Sequence, residues 1–189
     1  MRIRKITACI LLAVMTMVMM CGCGDKIDGP FIGNWAYVHD TTVTVLSLEK
    51  NGKAVYQGNQ YTYTADDTYL YLKSSKENID LRYKMDGEKL YIYQTTEYTF
   101  AGEGSPDGII GYWVCNPNKW SFEFTDQGTF KEDSYFPGYY TVDENEQTVK
   151  LVYNDHFEDT VFYYSIDGDT LTIEYPWETV PTQKAEKAK

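Results

Sequence analysis

The stretch "LRYKMDGEKLYI" (residues 81–92) recurs as "FYYSIDGDTLTI" (residues 162–173), with Gly87 and Gly168 81 positions apart. In both, apolar and polar residues alternate on either side of an Asp-Gly pair. A period of two puts successive side chains on opposite faces of a strand, and Asp-Gly between two such runs is a hairpin turn. The stretch is therefore a β-hairpin, and the chain contains it twice.

Other landmarks repeat in the same order. "IGNW" (32–35) returns as "IGYW" (110–113), "LSLEKNG" (46–52) as "FEFTDQG" (122–128), and "YTAD" (63–66) as "YTVD" (140–143). The offset is 78 at Trp35/Trp113 and 81 at Gly87/Gly168, a drift of loop size, so the chain is an internal duplication. Within the copies the period stays at two: Trp120, Phe122 and Phe124 share one face, and Leu171, Ile173 and Tyr175 share another. Tyr fills 18 positions, Asn51-Gly52 adds a third turn signal, and no apolar pattern of helical period follows Cys23. The expected class is all-β: two tandem small antiparallel meander barrels of about eight short strands each.

The two copies resemble the small lipocalin-like repeats of bacterial lipoproteins. Gly33 and Trp35, Gly52 and residues 83–92 match that pattern in the first copy; Gly111 and Trp113, Gly128 and residues 164–173 match it in the second. The resemblance implies extracytoplasmic binding or interaction and carries over no chemistry. On the residues themselves, the Gly lets the opening strand pass close to its neighbours, and the Trp plugs one end of the core.

The N-terminus has a basic head (Arg2, Arg4, Lys5) and an apolar run over 6–20, followed by "CGCGDK" (21–26). That run is short for a membrane span and reads as a secretory signal. "MCGC" (20–23) resembles a lipobox, which implies cleavage before Cys23 and lipid on its sulfur, with Cys21 leaving in the signal. The expected organisation is signal peptide 1–22, tether 23–29, first repeat 30–93, linker 94–106, second repeat 107–175 and C-terminal tail 176–189. The linker's Gly/Ser/Pro-rich second half is the expected hinge. Localisation follows as lipid-anchored on the extracytoplasmic face of the cell membrane.

With Cys9 and Cys21 lost and Cys23 lipidated, Cys115 is left as a lone thiol, read as a small buried hydrophobe. Seventeen basic and 28 acidic residues give −11, and loss of Arg2, Arg4 and Lys5 makes this about −14. Such a charge argues against nucleic acid as a partner and leaves membrane contact to the lipid.

Chemistry-bearing motifs are scarce. "NDHFED" (154–159) sets His156 among acids, but the matching loop of the first copy is "KSSKEN" (73–78), which favours a turn over a metal site. "ADD" (65–67) and "DENE" (143–146) also fall at turns. There is no H-E-x-x-H, G-x-S-x-G, phosphate-binding Gly loop or C-x-x-C, so neither a catalytic residue nor a cofactor is expected. An inward set of Trp35, Leu46, Leu48, Leu81, Tyr83, Met85, Leu90 and Ile92 fills so small an interior, which argues against a ligand lumen.

The copies differ most on one outer face. Tyr69, Tyr71, Tyr91 and Tyr93 point outward, beside Arg82, where the second copy has Thr148, Lys150, Thr172 and Glu174. Aromatic side chains with hydrogen-bonding tips suit a glycan or an envelope protein. The competing reading is that the other repeat, the linker or the tail covers them, as tandem domains often do. The leading functional expectation is a non-catalytic binding protein. The alternatives are a carrier of a small apolar ligand and an envelope hydrolase working through paired carboxylates.

Overall fold

The computed structural model describes residues 27–116, 118–155 and 157–182. The expected signal segment, Cys21, Cys23, His156 and residues 183–189 lie outside the described residues.

The first copy forms β1 (Gly33–Tyr37), β2 (Leu46–Leu48), β3 (Lys53–Tyr56), β4 (Asn59–Ala65), β5 (Tyr69–Lys73), β6 (Asn78–Asp86) and β7 (Lys89–Phe100). The second forms β8 (Gly111–Cys115), β9 (Trp120–Phe124), β10 (Thr129–Glu132), β11 (Phe136–Asp143), β12 (Thr148–Tyr153), β13 (Thr160–Asp167) and β14 (Thr170–Pro181). Each strand pairs with the next in sequence and β14 returns to β1, giving fourteen antiparallel strands in one ring-like sheet. No helix occurs among the described residues. One more pairing crosses the ring: β7 runs beside β14 for ten consecutive pairs, from Thr99↔Thr170 to Leu90↔Thr179.

The β6–β7 and β13–β14 turns are the Asp-Gly hairpins. Asp86 pairs with Lys89 and Asp167 with Thr170, so each loop has two residues, Gly87-Glu88 and Gly168-Asp169. Gly87 and Gly168 have φ of 60° and 55°, the positive value that a tight hairpin asks of its first loop residue.

The duplication extends to single hydrogen bonds. Trp35 Nε1 donates to Phe31 O at 2.7 Å, and Trp113 Nε1 to Ile109 O at 2.8 Å. Tyr63 Oη donates to Glu49 O at 3.0 Å, and Tyr140 Oη to Thr125 O at 2.8 Å. Gln57 N donates to Val45 O and Asp133 N to Ser121 O, both at 2.8 Å. Positions 44–57 and 120–133 therefore correspond one to one.

The inner face carries two apolar clusters, one on each side of the β7–β14 pairing. Trp35, Leu46, Leu48, Leu70, Leu72, Leu81, Leu90 and Ile92 anchor the first, with Tyr83 and Met85 packed against it half-buried. Trp113, Phe122, Phe124, Phe130, Phe162, Leu171 and Ile173 anchor the second, and Cys115 is buried there as expected.

Two expectations need correction. The segment 94–106 is not a linker throughout: β7 continues unbroken to Phe100, because its later residues find a partner in β14 and then in β8. The tail from 176 is likewise strand to Pro181, held by β7 and β1. Each copy accordingly supplies seven strands, the last of them twelve residues long.

Of the glycines that open the copies, Gly111 shows the expected close approach and Gly33 does not. Gly33 (φ 147°) has nothing closer than 4.0 Å to an added Cβ, so its backbone angle alone calls for glycine. At Gly111 (φ 138°) the Phe100 ring additionally occupies the Cβ position.

Candidate functional site

Outward residues of β5, β6 and β7 form the aromatic face that the alternation predicts. Tyr69, Tyr71, Arg82, Tyr91 and Tyr93 are all half-buried. Arg82 is the centre. Its Nε donates to the Glu174 carboxylate and its Nη2 to Tyr69 Oη. The guanidinium lies 4.6 Å from the Tyr69 ring centroid and 3.8 Å from that of Tyr163. Tyr163 meets Tyr93 edge-on at 5.4 Å. A planar cation between two rings and a carboxylate is held by cation–π attraction and a charge-assisted hydrogen bond together.

Glu174 stands on the outer face as the alternation has it, but its side chain is only 23% exposed. Its β14 position faces β7 across the crossing pair, so it meets Arg82 of the other copy. Tyr163 is the counterpart of Arg82, 81 positions on, and Glu174 is the counterpart of Tyr93. The cluster thus joins the copies through equivalent positions.

Tyr71 and Tyr91 flank this centre and are tied locally. Tyr71 Oη donates to Asp66 Oδ2 at 2.6 Å, and Tyr91 Oη to Glu178 Oε2 at 3.1 Å. The Tyr71 hydroxyl, with the Tyr69 and Thr68 amides, holds the Asp66 carboxyl below its usual range. Two open hollows border the ridge. One, of about 510 Å³, lies along Arg82, Tyr163 and Glu174; the other, of about 370 Å³, lies along Tyr91, Tyr93 and Glu178.

A second concavity lies on the opposite, inner face of the crossing pair, between the two apolar clusters. Gln94 and Thr96 of β7 and Tyr175 and Trp177 of β14 form its back wall. Tyr98, Phe122 and Ile173 make an apolar floor, while Trp120 and the adjacent acids Glu132 and Asp133 close the side, around about 260 Å³. Trp120 and Trp177 are 46% and 39% exposed, so indole surface faces the opening. Gln94 Nε2 donates to Tyr37 Oη at 2.5 Å and Tyr56 Oη at 3.4 Å, which fixes the wall from the first copy. Glu132 accepts from Tyr153 Oη. Burial raises the Glu132 carboxyl above its ordinary range; the Tyr153 hydrogen bond opposes this and the Asp133 charge adds to it. Asp133 Oδ1 accepts from Ser121 N at 2.7 Å.

Sequence reasoning passed over this cleft, because Trp120 was read only as sharing a strand face with Phe122 and Phe124, and the acids at the end of β10 resemble turn residues. Among the described residues, no group of His, Cys, Asp and Glu is arranged to hold a metal ion. No protein-family model matches the chain, and no curated protein and no solved structure matches it.

Proposed function

We propose that this chain is a non-catalytic, lipid-anchored binding protein of the bacterial envelope, built from two lipocalin-like repeats. In this reading each repeat closes as a small eight-stranded barrel. Its own seven strands are completed by one half of the long strand from the other copy, since β7 and β14 each pass from one apolar cluster to the other. Cys23 carries the lipid, and the barrels stand on the extracytoplasmic face.

The observation that carries the binding role is the aromatic ridge. Tyr69, Tyr71, Tyr91, Tyr93 and Arg82 lie half-buried beside two hollows, where the second copy has Thr148, Lys150, Thr172 and Glu174. Aromatic side chains with hydrogen-bonding tips on a partly open surface favour a glycan or another envelope protein. Carriage of an apolar ligand inside a barrel is disfavoured, because Leu46, Leu70, Leu72, Leu151 and Phe162 fill the interiors at 0% exposure.

A glycan and cell-wall screen on the purified protein tests the reading. Tyr71→Thr with Tyr91→Thr should weaken the captured partner about tenfold or more with the melting temperature preserved. Full binding in that variant would remove the ridge from the interface. Fatty-acid labelling tests the anchor: label should vanish in Cys23→Ala and persist in Cys21→Ala.

A further inference from the structure

The inner cleft breaks the symmetry of the duplication in a chemically consistent direction. Trp120, Glu132 and Asp133 occupy positions whose counterparts in the first copy are Thr44, Tyr56 and Gln57. Tyr98 corresponds to Thr179, and Trp177 to Thr96. The fold accepts Thr, Tyr and Gln at those places, so it requires neither the indoles nor the acids. One side of the crossing pair has gained aromatic faces and two adjacent carboxylates.

What the cleft lacks is equally specific. Among the described residues no Lys, Arg or His lines it, whereas the outer hollow on the other face contains Arg82. Glu132 is half-buried, and its one hydrogen bond among the described residues is from a neutral phenol. Asp133 makes one, to a backbone amide. Each carboxylate has an oxygen left over. A volume of about 260 Å³ is below the range of drug-sized sites and fits a compact ligand.

Aromatic faces attract cations through their quadrupoles, and a carboxylate at the same site adds a full opposite charge. A neutral sugar would instead want donors and acceptors spread around its hydroxyls, whereas the Gln94 Nε2 donor is already committed to two tyrosines. We propose that the inner cleft is a binding site for a small organic ammonium ion, seated between Trp120 and Trp177 and neutralised by Glu132 and Asp133. The site is distinct from the outer ridge, because Gln94, Thr96 and Trp177 point to the opposite face of the crossing pair from Tyr91 and Tyr93, with Tyr175 alone bordering both hollows. Loss of one leaves the other standing.

Choline and its uncharged carbon isostere, 3,3-dimethylbutan-1-ol, are the probes, titrated into the purified protein by calorimetry and tryptophan fluorescence. Choline should bind and change the tryptophan emission, and the isostere should bind at least about tenfold more weakly. Glu132→Gln, which keeps size and the Tyr153 hydrogen bond, should lower choline affinity about tenfold; Trp120→Ala should do so by a similar factor. If Trp120→Ala fails to fold, Glu132→Gln and the isostere decide the matter alone. Equal binding of choline and isostere would make the cleft merely apolar and overturn the proposal. So would the absence of choline binding at tens of millimolar, or tighter binding of a neutral hexose.

Discussion

Gln94 and Tyr175 face each other across β7 and β14, and each is the other's counterpart in the duplication, 81 positions apart. Around it the pairs from Leu90↔Thr179 to Tyr98↔Leu171 map onto one another, Ile92↔Trp177 onto Thr96↔Ile173 and Leu90↔Thr179 onto Tyr98↔Leu171. The local two-fold axis of the antiparallel ladder therefore coincides with the symmetry of the repeat. Such an isologous contact is how two identical chains would associate, and here both halves belong to one chain.

A consequence concerns the loop 101–106. β1 is completed by the last residues of β14 (Trp35↔Pro181), and β8 by the last residues of β7 (Trp113↔Phe100). Breaking the backbone within 101–106 should give two fragments that co-purify and melt together when co-expressed. Either fragment alone would leave a long strand edge unpaired and should lack dispersed amide resonances. Independent cooperative melting of each fragment would refute this.

Arg82 should matter to stability more than an ordinary surface charge. It and Glu174 are 19% and 23% exposed, and the guanidinium also lies against two rings. Removing it leaves a half-buried carboxylate uncompensated. Arg82→Ala should cost about 2–3 kcal/mol in chemical denaturation. Arg82→Lys should recover less than half of that, because an ammonium cannot reproduce the planar stack and the two separate donors. A double-mutant cycle with Glu174→Gln should show coupling above about 1 kcal/mol.

Glu132 gives a pH dependence with a definite sign. Its folded carboxyl is held above the unfolded value of about 4.3, so the native state binds its proton more tightly than the unfolded chain does. The resulting stability is complete below the unfolded value and is lost as pH rises through the folded one. Glu132→Gln removes that loss. The urea midpoint of the variant should therefore gain on the parent as pH rises above the unfolded carboxyl value of about 4.3, with no gap opening below it. Asp66 acts in the opposite sense: its lowered carboxyl contributes stability above its unfolded value that is lost on acidification. The comparison is therefore between parent and variant at each pH.

The strands and turns were legible because their causes are local. Alternation fixed the buried faces, as at β5, where Leu70 and Leu72 are fully buried between half-exposed tyrosines. Asp-Gly fixed the turns. The second half of β7 was not legible. Gln94, Thr95, Thr96 and Glu97 have the composition of a linker, and their partner is a strand some 80 positions away. The same long-range pairing hid the Arg82–Glu174 contact, although both residues were correctly placed facing outward. The cleft did leave a trace in the sequence, in Glu132-Asp133 against Tyr56-Gln57 and Trp120 against Thr44. Reading it required knowing that β7 and β14 bring those strand ends to one place.

Gly33 and Gly111 separate backbone strain from lack of space at equivalent positions. Both have positive φ, 147° and 138°, which a side chain tolerates at a cost of about 1–3 kcal/mol. At Gly33 an added methyl group meets only Trp35 Nε1, at 4.0 Å, so Gly33→Ala should cost that strain and no more. At Gly111 the methyl group would overlap the Phe100 ring, which packs edge-on against Trp113 at 5.3 Å and cannot withdraw without opening the second cluster. Gly111→Ala should cost about 1–3 kcal/mol more than Gly33→Ala, by analogy with overpacked cores. Thermal unfolding of the two variants measures the difference. In a Phe100→Leu background, where the obstructing ring is gone, Gly111→Ala should fall to the cost of Gly33→Ala; an undiminished penalty there would assign the whole effect to the backbone.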